Sequence, residues 1–123
     1  MRSYRRTIGG KKLTLKANFA ASIRLAEEIY DPLHIAREIS LEAYFLENKV
    51  PYTPKFQFGI ANVVDILSIA TGLETEEMGE LCFEEGYVDS KNYAAEYLTK
   101  IIGPSPEQAL DGGETKEETP SEK

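Results

Sequence analysis

The chain has 123 residues, 41% of them apolar and 28% charged, and a net charge of −7. That length gives one domain with a sizeable core, and no apolar run reaches the ~18–20 residues of a membrane-spanning helix. A single cysteine, Cys82, excludes an internal disulfide framework and any multi-cysteine zinc site. The opening MRSYRRTIGG carries bases but no apolar segment behind them, so it does not read as a secretory signal, and a cytoplasmic location is expected.

Charge is unevenly distributed. Residues 1–16 hold six basic side chains and no acid, whereas 17–110 hold 16 acids against 6 bases. From Asp111 onward there are five acids and two lysines. An acidic body is repelled by nucleic acid and by anionic lipid, which argues against both as partners. It suits a basic protein partner or a merely solvated surface.

In chain order, RSYRRTI and KKLTLKA flank Gly9-Gly10. Leu13 and Leu15 alternate with Thr14, and two glycines supply the positive φ of a two-residue hairpin turn. A phosphate-binding loop would run G-x-x-x-x-G-K-[ST] into a helix; here GGKK runs into strand-like LTLK. Asn18 caps a helix in which Phe19, Ser22, Ile23, Ala26, Ile29 and Tyr30 share an arc that is expected to face inward. Asp31-Pro32 starts the next helix, with Ile35, Ile39, Ala43 and Leu46 on one stripe and Leu41 and Phe45 well round from it. Either that helix breaks near Ser40, or it is apolar on two sides.

Thr53-Pro54 repeats the cap-and-proline start. Phe56, Ile60, Val63, Val64, Leu67 and Ala70 share a face of the third helix, with Phe58 and Ile69 on the far side among Asn62 and Asp65 and Gly72 as terminator. Thr75 caps a short helix with Glu76 and Glu77 in its first turn and Met78, Leu81 and Cys82 inward. Asp89 or Ser90 starts the last helix, which carries Ala94, Tyr97, Leu98 and Ile101 and ends at GPSP. After Leu110 almost nothing apolar remains to offset ordering entropy.

The expected fold is therefore mainly α (α+β), an N-terminal β-hairpin followed by a bundle of four to five helices. One domain, 1–104, contains a hairpin over 4–17 and helices over about 19–30, 32–48, 54–71, 75–85 and 90–102; a disordered acidic tail follows over 105–123.

Chemistry is sparsely represented. His34 is the only histidine and reads as a surface or half-buried side chain, and Cys82 reads as a small core residue. Glu84, Glu85 and Asp89 lack the alternating oxygen ligands of a calcium loop. No catalytic, metal-binding or cofactor-binding residue is assigned, and an enzyme is not expected. Contact surface is the better candidate. The chain has seven tyrosines and five phenylalanines, and the off-stripe residues Leu41, Phe45, Phe58 and Ile69 would, if exposed together, form an apolar interaction patch. The competing reading is that a five-helix globule buries some helices from two sides.

The order of features carries a resemblance. A hairpin runs into LTLKANFAASIRLAEEIYD; a helical pair, GIANVVDILSIATGL and FEEGYVDSKNYAAEYLTKIIG follow. Over residues 5–103 this resembles the small tail proteins of gene transfer agents and siphophages, described as tail assembly chaperones. LAEE (Leu25 to Glu28) stands where that family has an LEE-like element. Val63 to Gly72 matches its Ile/Leu-rich helix ending in Gly, and Gly86 to Gly103 its final GY…A…Y…L helix. The resemblance implies a non-enzymatic chaperone that binds the tape measure protein before the tail tube subunits polymerise. The alternatives are a structural component that stays in the tail, with self-association open, and a nucleic-acid-binding module using the basic arm 2–16.

Overall fold

A computed structural model describes residues 2–103; the expected acidic tail, 105–123, lies outside the described residues. Strand β1 (Arg2–Ile8) pairs antiparallel with β2 (Lys11–Ala17) from Arg2↔Ala17 to Ile8↔Lys11. Five helices follow: α1 (Phe19–Glu28), α2 (Pro32–Glu47), α3 (Ile60–Thr71), α4 (Thr75–Glu85) and α5 (Tyr87–Ile102). The hairpin-plus-helices architecture expected from the sequence is the observed one.

Gly9 and Gly10 take φ of +60° and +82°, the paired left-handed conformation of a tight hairpin turn. The turn is also docked. The Gly9 N–H donates to Glu85 Oε1 at 2.9 Å, and a Cβ on Gly9 would stand 2.6 Å from the Leu81 carbonyl oxygen. Period-two alternation then decides which side of the hairpin faces the helices: Leu13, Leu15 and Ala17 are buried, while Lys12, Thr14 and Lys16 are exposed.

Helix α3 is the centre of the molecule. Val63, Val64, Ile66, Leu67 and Ala70 are all buried, because α3 packs against β2, α1, α4 and α5. A helix with one charged residue in twelve, Asp65, is suited to that position. Leu25 of α1, Ile35 of α2, Met78 and Cys82 of α4, and Ala94, Tyr97 and Leu98 of α5 complete the core. Buried Tyr97 finds its polar partner across the fold, donating from its hydroxyl to the Lys16 carbonyl at 2.7 Å. Arg6 reaches Glu96 with two guanidinium nitrogens and ties β1 to α5.

Capping follows the sequence at several ends. The Asn18 side chain accepts from the Ala21 N–H at 2.8 Å, the Asp31 carboxylate accepts from the Leu33 N–H at 2.9 Å with Pro32 in the first turn, and Gly72 ends α3 at φ +82°.

Three expectations need correction. First, α3 begins at Ile60 and not near Pro54. Residues 51–59 form a loop held to α2, with the Lys55 N–H donating to Glu38 Oε1 at 2.7 Å and the Tyr52 hydroxyl donating to the same atom at 2.8 Å. Phe56 and Phe58, two residues apart on this loop, pack against the core from outside any helix. Second, α5 begins at Tyr87, so Asp89 and Ser90 are not its cap. Ser90 is buried one turn inside, and its hydroxyl donates to the Cys82 and Gly86 carbonyls at 3.2 and 2.9 Å, stitching α4 to α5. Likewise Glu74, not Thr75, occupies the α4 cap.

Third, α1 is rotated from its expected orientation. Ala21 and Leu25 are its buried residues, whereas Phe19 is 80% exposed and Ile23 and Ala26 also face outward. Periodicity finds the apolar arc; which part of a broad arc is covered depends on where α3 and β2 lie.

Candidate partner-binding surfaces

Helix α2 is only half supported by the body. Its buried residues, Pro32, Ile35 and Glu38, all lie in its first seven positions. Beyond Glu38 the helix continues unbroken to Glu47 with no buried residue. Ile39, Ala43 and Leu46, three members of the apolar stripe read from the sequence, are therefore exposed, Leu46 by 77%. Tyr44 (59% exposed) and Val50 add to the same projecting segment. The two-sided apolarity of α2 thus has a third explanation: its C-terminal half carries apolar side chains outside the core.

The end of α2 is built by hydrogen bonding rather than burial. The Lys49 N–H donates to the Leu46 carbonyl at 3.1 Å and the Val50 N–H to the Phe45 carbonyl at 2.8 Å. Lys49 itself adopts φ +59°, the left-handed terminator position usually given to glycine.

Aromatic contacts line the join between α2 and the following loop. Phe45 stacks on Tyr52 with ring centroids 4.9 Å apart and meets Tyr44 edge-on at 5.4 Å. Tyr30 stacks on Phe56 at 5.2 Å, and Phe56 meets Phe58 edge-on at 5.2 Å. A cleft of about 370 Å³ lies between the helix and the loop, with Glu38, Ile39, Tyr52 and Phe58 in its wall. The two hydrogen bonds to Glu38 hold its carboxyl below the usual range, the Lys55 N–H more than the Tyr52 hydroxyl, against the opposing effect of burial.

The four residues expected to form a patch divide. Leu41 and Phe45 lie on the projecting part of α2 and are half-exposed. Phe58 and Ile69 are partly buried and packed against the core, so for these two the globule covers what the helical projection placed on a polar face. Ile69 also sits apart from the others, lining a small pocket with Lys16 and Arg24. Sequence reasoning missed Tyr44, Val50, Phe83 and Val88 as exposed apolar side chains. For Tyr44 the available signal was the density of apolar residues on both sides of α2; Phe83 on α4 and Val88 on α5 carried no comparable signal.

Among the described residues, His34 and Cys82 lie apart on α2 and α4. His34 is exposed, with its ring 6.1 Å from that of Tyr30. Cys82 is fully buried, and burial pushes its thiol pKa up. Among the described residues no group of three or more His, Cys, Asp or Glu side chains could hold a metal ion, and no helix is long and apolar enough to cross a membrane. No family model, curated protein or solved structure matches the chain.

Proposed function

We propose that this protein is a non-enzymatic tail assembly chaperone of a phage-type or gene-transfer-agent tail, acting in the cytoplasm of the producing cell. Its partner is the tape measure protein, whose long apolar helices it covers before tube subunits assemble around them. One observation supports this reading above others: half of α2 extends beyond the core while carrying Tyr44, Phe45 and Leu46. Large apolar side chains on an unsupported helix are the means by which one helical protein covers another. The acidic body keeps such a surface soluble when no partner is bound.

The test is co-expression with a tape measure protein. That partner should become soluble only with this chain present. Leu46→Asp and Tyr44→Asp, singly and together, should lower the yield of soluble partner while leaving the thermal unfolding midpoint nearly unchanged, since both side chains are exposed. Phe58→Asp is a poorer probe because that side chain packs against the core. If the double variant rescues the tape measure protein as well as the native chain does, the reading fails. Stoichiometric amounts of the chain in finished particles would instead identify a structural tail component.

A further inference from the structure

A second apolar surface lies away from α2, between α3 and α4. It is a shallow groove of about 500 Å³. Ile60, Ala61 and Val64 of α3, Gly79 and Phe83 of α4, and Tyr87 at the start of α5 line it. Ile60 is 56% and Phe83 67% exposed, too much for side chains that serve only the core. A Cβ on Gly79 would stand in ordinary contact, 3.8 Å from Val64 Cγ1, so α3 and α4 approach closely here. The rim is charged with one sign. Asp65, Glu76 and Glu80 line the groove, and among the described residues no lysine or arginine does.

We infer that this groove is a docking site for a basic amphipathic helix of a partner protein. An apolar trough between two helices accepts the apolar face of a third, and a rim of three carboxylates selects for lysine or arginine flanking that face. The rim also argues against occupants from this chain. Residues 104–123 carry six acids and two bases, so the chain's own C-terminal segment is repelled. A second copy offers no suitable helix: none of α1 to α5 carries more than two lysines or arginines, and its basic cluster lies on the strands β1 and β2, which cannot fill a helix-shaped trough. The assignment stands on this groove alone and is independent of the α2 surface and of the tail-assembly reading.

The test uses the full chain and a synthetic ~18-residue Lys/Leu amphipathic helical peptide, about five turns long. Its Glu/Leu counterpart, with the same apolar face, is the control. Binding is followed by fluorescence anisotropy at about 0.15 M salt, where long-range attraction is largely screened, and located by amide chemical shifts. The basic peptide should bind, shift the amides of Ile60, Gly79, Phe83 and Tyr87, and lose about tenfold or more in affinity with Phe83→Ala. Glu76→Lys/Glu80→Lys should weaken it comparably. Glu42→Lys/Glu47→Lys, the same change of net charge placed on α2, should alter affinity by less than about twofold.

Equal weakening by the two charge reversals would reduce the effect to non-specific attraction and overturn the proposal. So would shifts confined to α2, no binding, or equal binding of the Glu/Leu peptide. Self-association abolished by Phe83→Ala without peptide would assign the groove to a second copy and overturn it as well. Because Phe83 is exposed, its truncation leaves the fold available for all of these measurements.

Discussion

Single residues set the tolerances of this fold most visibly at its turn. Gly9 is constrained twice, by a φ of +60° and by the Leu81 backbone, which would lie 2.6 to 3.2 Å from an added Cβ. Gly10 shares the positive φ but has nothing within 4 Å. Gly9→Ala should therefore cost ~2 kcal/mol or more in a denaturant titration, and Gly10→Asn under about 1 kcal/mol. Equal losses would show that backbone conformation alone governs the pair. Glu38 sets a pH dependence. Its carboxyl pKa is depressed in the fold, so the stability it contributes is present above the ordinary carboxylate value of about 4 and is lost as pH falls through the depressed one. Glu38→Gln should be less stable than the native chain at neutral pH, and the gap should close on acidification. A gap that stays constant with pH would rule out the charged form as the source. Two hydrogen bonds to one buried carboxylate were not legible in the sequence, because Tyr52 and Lys55 lie 14 and 17 residues away, Tyr52 on a loop with no local signal toward α2 and Lys55 where the sequence reads as the start of a helix.

At the scale of elements, most of the plan was legible and most of the facing was not. The Gly-Gly hairpin, the caps at Asn18 and Asp31 and the end at Gly72 follow from local chemistry within a few residues, and all appear in the structure. Which face of α1 is covered, and where α2 leaves the core, depend on neighbours that local periodicity does not encode. The same holds for the candidate surface: Phe45 and Leu41 were found because α2 is apolar on two sides, whereas Phe58 and Ile69 are covered by packing the sequence does not display. Helix α2 supplies its own prediction. Amides of Ala43 to Glu47, on a helical segment with no buried side chain, should exchange with deuterium far faster than those of Val63 to Leu67 in α3. Lys49→Gly, which removes the left-handed strain at the helix end, should slow exchange in the last turn and add up to about 1 kcal/mol. Protection in α2 equal to that in α3 would mean that its far half is covered in solution.

Across the whole molecule, the earliest residues depend on the latest. The Gly9 turn rests on Leu81 and Glu85, Tyr97 holds the Lys16 carbonyl, and Arg6 is paired with Glu96. Contacts at such sequence separation are slow to form, because loop closure comes before any gain. A chain ending at Gly72 should accordingly be protease-sensitive and lack the cooperative unfolding transition of the full chain; a resistant, cooperative fragment would contradict this. The consequence reaches back to synthesis. The hairpin is synthesised before every helix it packs against, and α1 alone gives Leu13 and Leu15 little cover, so on the ribosome that strand stays largely bare until α3 and α5 follow.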